Sequence, residues 1–262
     1  MKKYIILLFI FVIAQNFAQK NSKGIVTYSQ VINNPDGSRF ASPYKLYFDA
    51  NRSFFERLGT AKRMDNEFNK KNNSTGQQVS STILKTNLPL NYYYTNTLKN
   101  ILIFRENVVM KNYIVKDSME VLPWKLHKDQ KKVSSYTCQK ATTDYRGRQW
   151  TVWFTTEIPI THGPWKLRGL PGLILEANEA SGKYEFIAHT IRLDPNDKII
   201  NDTLKIPNTT DMQDMEIYKM ALKNKDKDLS AMVLATLPRG GKVRRGCDTC
   251  PDRKNFNLEI YE

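Results

Sequence analysis

Residues 135–156 read SYTCQKATTDYRGRQWTVWFTT, and the fold follows from them. Apolar and polar side chains alternate through 135–145 and again through 149–156, the period of half-buried β-strands. Arg146-Gly147-Arg148 joins the runs, with glycine supplying the positive φ of a tight hairpin turn. On the second strand Trp150, Val152 and Phe154 share one face, while Thr151, Trp153 and Thr155 share the other. Working outward, residues 173–179 and 183–193 form a second hairpin across Ala180-Ser181-Gly182. Strand patterns recur at 24–31, 44–48, 52–58, 90–94, 100–105 and 108–115.

One helix is predicted, capped by Thr210 or Asp211, with Met212, Met215, Tyr218 and Leu222 at helical spacing and an end in the charged run 223–228. Sequential hairpins without βαβ alternation predict a mainly β fold. It is a single curved antiparallel sheet, a half-barrel of about ten strands, with one or two packing helices. The whole of 19–262 reads as one domain. The pattern lapses over 60–87, where Lys, Asn, Ser, Thr and Gln predict a mobile loop.

The N-terminus indicates the compartment. Met1-Lys2-Lys3 is basic, Tyr4 through Ala14 is apolar, and polar residues follow; the apolar run is too short to span a bilayer. Residues 1–18 are therefore expected to be a signal peptide. Without a cysteine at its boundary the chain is no lipoprotein, and the mature chain is expected in the periplasm or on the outer surface, not spanning a membrane. The formal charge of +14 favours anionic partners, but the basic residues are scattered and export removes cytoplasmic nucleic acid as a partner. With 40% hydrophobic and 25% charged residues the chain is not of disordered composition.

Gly169-Leu170-Pro171-Gly172-Leu173-Ile174 lies between the hairpins. With Tyr136-x-Cys138-Gln139-Lys140-Ala141, Trp153-Phe154-Thr155-x-Glu157-Ile158-Pro159 and Gly163-Pro164-Trp165-Lys166, it resembles the GLPGLI family over roughly residues 130–192. That resemblance implies an exported Bacteroidota envelope protein and names no reaction. The succession of strands is also similar to the half-barrels of lipoprotein-carrier proteins, which hold acyl chains against a curved sheet.

Physically, residues 163–174 are a crossover bracketed by two turn signals. Pro171 restricts Leu170 to extended conformations, and Gly172 permits either a left-handed turn or a close backbone approach. It either closes the sheet, with Trp165 as plug, or binds: Trp165 stacking, Lys166 or Arg168 meeting an anion, and His162, Leu170 and Pro171 completing the site. Cys247-Asp-Thr-Cys250 in an oxidising compartment reads as a structural disulfide, and its pairing with Cys138 or within the C-x-x-C stays open. Zinc would need further ligands that the spacing does not supply, so no metal or cofactor is expected. No catalytic serine elbow or H-E-x-x-H occurs. The leading reading is a non-enzymatic binding protein that takes a lipid or other amphipathic ligand in the concavity of its sheet. The alternative is a module docking an outer-membrane or periplasmic protein through residues 163–174. A thiol-redox or hydrolytic enzyme using the C-x-x-C or His162 ranks third.

Overall fold

The computed structural model describes residues 23–34, 37–64, 88–236 and 257–261. The leader at 1–18, most of the expected loop at 60–87, and Cys247 with Cys250 lie outside the described residues.

The chain forms β1 (Gly24–Asn33), β2 (Arg39–Phe48), β3 (Arg52–Arg57), β4 (Lys62–Arg63), β5 (Tyr92–Asn96), β6 (Ile101–Val108) and β7 (Lys111–Asp117). It continues with β8 (Lys125–Val133), β9 (Tyr136–Tyr145), β10 (Arg148–Thr155), β11 (Leu173–Glu179) and β12 (Tyr184–Leu193). Helix α1 (Asp197–Thr203), the short β13 (Met212–Gln213) and helix α2 (Met215–Thr236) complete it. Among the described residues all thirteen strands join one sheet, in the order β13-β7-β6-β5-β3-β2-β1-β12-β11-β10-β9-β8, with β4 beside β2. Two meanders, β1 to β7 and β8 to β12, are therefore sewn together by the β1–β12 pairing, which runs from Gly24↔Leu193 to Ile32↔Tyr184. Every pairing is antiparallel except β13 with β7.

The hairpin of 135–156 forms as its pattern requires. Arg146 (φ 53°) and Gly147 (φ 70°) both take positive φ, the two-residue turn whose twist suits antiparallel strands. One strand was not anticipated, and two expectations are corrected. Strand β8, KLHKDQKKV, has no apolar face to give it away; it is a largely exposed edge strand, and its lysines discourage further pairing. The helix expected from Thr210 or Asp211 begins instead at Met215, where the Asp214 carboxylate accepts from the Glu216 N–H, because Met212 and Gln213 are captured by β7. The run 223–228 does not end that helix, since Lys and Asp on a solvent-facing side continue it to Thr236.

Curvature follows from a contact. Eight strands separate β7 from β9 in the sheet, about 40 Å if it were flat. Yet Arg146, at the end of β9, places Nη2 2.7 Å from Oδ1 of Asp117, at the end of β7. The two wings curl toward each other, and the inner face carries the main core: Tyr28, Phe48, Phe55, Phe104, Trp150 and Phe186, all essentially inaccessible. A smaller cluster of Ile25, Ile200 and Leu204 lies where α1 covers the outer face, against Tyr47 and Phe54.

Candidate functional site

Two places combine charge with shape: the crossover inside the curved sheet, and a groove on its outer face.

The crossover fills the concavity. Trp165 stands 5.5 Å from both the Trp150 and Tyr145 rings, and Leu167 and Leu170 are buried in the same cluster. Its backbone is tied locally by Gly169 N–H to Thr161 O (2.8 Å) and Ile174 N–H to His162 O (3.1 Å). The Tyr28 hydroxyl donates to Ile174 O at 2.6 Å. Of the two roles open to Gly172, the close approach is the one used: a Cβ there would lie 2.1 Å from Thr155 O.

Residues expected to face a ligand are turned inward. Trp165, Lys166, Arg168, His162 and Leu170 are buried, and Pro171 alone of that set is exposed. Arg168 is spent on backbone, its Nη1 donating to Lys166 O (2.8 Å) and Nη2 to Glu120 O (2.9 Å). The anion that meets Lys166 belongs to the chain itself. Its Nζ, wholly inaccessible, lies 2.7 Å from Asp117 Oδ2, 2.5 Å from Glu259 Oε1 and 3.7 Å from the centre of the Phe104 ring. Burial works against that ammonium, but Glu259 and Asp117 outweigh it and raise its pKa above the usual lysine value. Nearby, Glu106 accepts from the Tyr93 and Tyr218 hydroxyls, each at 2.5 Å. Burial, and then the Glu259 charge, push its pKa up.

Lys166 thus ties the β7 wing of the sheet to the crossover and to residues 257–261, and Arg146 joins the other wing through the same Asp117. Sequence analysis missed Asp117, Glu106 and Glu259. For the first two a signal existed: Asp117 shares the inward parity of Tyr113 and Val115, and Glu106 that of Leu102 and Phe104. Glu259 carried none.

His162 donates from Nε2 to Asp49 O at 3.1 Å, and burial lowers its pKa to about 4. The unfolded chain takes up this proton near 6.5 and the folded chain only near 4. Its contribution, up to about 3 kcal/mol, is therefore lost as pH falls from 6.5 toward 4. Glu106, with a raised folded pKa, works in the opposite direction. Urea midpoints for wild type and His162→Asn, measured from pH 7.5 to 4.5, should converge with acidification. Parallel profiles would refute the assignment to His162.

Cys138 is a free, buried thiol, and burial raises its pKa to about 11. A thiol so raised is little ionised at neutral pH, and the pairing of Cys138 with Cys247 or Cys250 stays open because both lie outside the described residues.

The outer groove encloses about 440 Å³ between Ile25, Thr27, Lys45, Tyr47, Thr190, Arg192 and Ile199. Ile25, Thr27, Lys45 and Tyr47 are the outward-parity residues of β1 and β2, and Ile199 comes from α1. Ile25 and Tyr47 give an apolar floor, and the Thr27 and Thr190 hydroxyls meet at 2.6 Å. Arg192 is exposed, and Glu56 lies beside Lys45 and Tyr47, so the freer positive charge is on the Arg192 side.

Residues 146–176 match a family model described as a protein of unknown function, Porph_ging. The matched stretch covers β10, the crossover and the start of β11. No curated protein matches the chain. Among solved structures it is similar to PNGF-II (16% identity, TM-score 0.44, covering 76% of this chain and 33% of that one). It is also similar to an uncharacterized conserved protein from Thermus thermophilus (9%, 0.38, 77% and 95%). A third is a putative outer membrane lipoprotein-sorting protein domain from Vibrio parahaemolyticus (9%, 0.30, 72% and 95%). The chain spans about a third of the length of PNGF-II. Among the described residues no helix is long and apolar enough to cross a membrane.

Proposed function

We propose that this chain is an exported, non-enzymatic envelope protein that binds an anionic amphiphile in the groove between α1 and the outer face of β12, β1 and β2. The observation that carries the proposal is the groove itself, about 440 Å³ with apolar floor and cationic rim. Its size is in the range of small-molecule sites, and its chemistry is divided as such a ligand is divided. The hydrocarbon lies over Ile25, Tyr47 and Ile199, and the head group meets Arg192, Lys45 and the threonine hydroxyls. The concavity, where the sequence placed the ligand, is occupied by Trp165, Leu167 and Leu170. Docking through residues 163–174 would have only Gly169 and Pro171 of that segment exposed to a partner.

The test is organic extraction of the mature chain purified from a native-like envelope, followed by mass spectrometry. An anionic amphiphile near one per chain is expected. Its recovery should fall at least tenfold in Lys45→Glu/Arg192→Glu, which at these solvent-facing positions changes stability little. A ligand-free wild type, or a ligand retained in full by the folded double variant, would remove the groove as its site.

A further inference from the structure

Residues 257–261, Asn-Leu-Glu-Ile-Tyr, form no regular secondary structure, yet several of their polar groups are held by the rest of the chain. Arg148 donates from Nε to Asn257 O and Leu258 O, both at 3.1 Å, and from Nη2 to Asn257 O at 2.5 Å. The Ile260 N–H donates to Arg146 O at 3.0 Å. Lys225 Nζ donates to Asn257 Oδ1 at 2.9 Å. Glu259 enters the Lys166 socket and Tyr261 lies between Arg146 and Lys219, 5.4 and 5.3 Å from its ring centre. Gly147 makes room for this: a Cβ there would stand 2.7 Å from Ile260 Cβ and 2.8 Å from Ile260 O. Asn257 meets Lys225, Glu259 and Tyr261 fill adjoining places and are joined by the Tyr261 hydroxyl, and the backbone is held by arginine. Side-chain pockets joined to main-chain hydrogen bonds are how short peptide segments are recognised.

We propose that this trough is a peptide-docking site for which residues 257–261 are a tethered ligand, and that in trans it takes the same segment of a second copy of this chain. None of these contacts depends on the segment belonging to the molecule that holds it. Residues 237–256 separate α2 from the segment, and twenty residues of chain reach at most about 70 Å, enough to enter a neighbouring trough. Tethering keeps the local segment at an effective concentration of order millimolar, so the wild-type chain occupies its own trough and exchanges with a neighbour only when that contact is weakened.

The probe is a fluorescent peptide of residues 257–262, titrated into full-length Glu259→Arg, whose own segment is repelled by Lys166, and into the milder Glu259→Gln. Circular dichroism checks that both are folded. Saturable one-to-one binding is expected, at least tenfold weaker to wild type and at least tenfold weaker when the peptide's glutamate is glutamine. Full-length Glu259→Arg mixed with full-length Gly147→Ala, which has an intact segment and an obstructed trough, should form a heterodimer by light scattering while each alone stays monomeric. Failure of the peptide to bind either folded variant overturns the docking site. Peptide binding without heterodimer at high protein concentration overturns the second copy as its occupant.

Discussion

Lys166→Met should lower the unfolding free energy by about 3–5 kcal/mol, the cost of leaving buried carboxylates without their counter-ion. The whole stability of a domain is only about 5–15 kcal/mol, so this is a large fraction of it. The side chains of Lys166, Asp117 and Glu259 have relative exposures of 0%, 2% and 1%, so water cannot replace the lost ammonium. Asp117 keeps Arg146 at 2.7 Å, whereas among the described residues Glu259 keeps the Tyr261 hydroxyl and no second cation. Most of the loss should therefore return when Glu259→Gln is added to Lys166→Met. Urea unfolding at pH 7 with an unchanged slope measures both. A loss below about 1 kcal/mol for the single variant would mean that the ion cluster does not hold the wings of the sheet together.

Gly172→Ala should be the most damaging single methyl in the crossover. Its Cβ would meet Thr155 O at 2.1 Å, Thr155 C at 2.6 Å and Thr156 N at 3.0 Å. All three are backbone atoms at the end of β10, so relief requires parting β10 from the start of β11 rather than rotating a side chain. Overpacking costs about 1–3 kcal/mol, and a rigid obstruction puts this variant at or above the top of that range. Gly169→Ala provides the contrast. There φ is +92° and the nearest neighbour to a new Cβ is Trp124 Nε1 at 3.8 Å, so only left-handed backbone strain of about 1–2 kcal/mol applies. Thermal melts of both variants rank them, and equal melting temperatures would refute the close-approach account.

Much of the sheet was legible because its strands carry their burial in a period of two. The run of Trp150, Val152 and Phe154 faces inward as the alternation requires, and the turn at Arg146 and Gly147 needed only local information. Strand β8 was illegible because an edge strand exposed on both sides has no alternation to read. The crossover was recognisable as structured, and its Gly163-Pro164 and Pro171-Gly172 turn signals marked tight backbone, but the direction of its charges was not. Lys166 and Arg168 were read as seeking an external anion. They find Asp117, Glu259 and backbone carbonyls, because folding brings together strands and a terminal segment that sequence spacing does not relate. The outer groove was hidden for a related reason: its residues alternate like any solvated strand face, and only the position of α1 turns that face into a wall and floor.

The sequence by itself determined a mainly β chain, the hairpins, the inward parity of the alternating strands and the structured crossover at residues 163–174. Those depend on alternation, turn chemistry and steric limits that act within a few residues. Only the tertiary structure decided that the concavity is filled from within, that its buried lysine is neutralised by the chain's own carboxylates, and that the accessible groove lies on the outer face. Those outcomes depend on the curl of the sheet, which brings β7 to the end of β9 across eight strands, and no local pattern of residues encodes that distance.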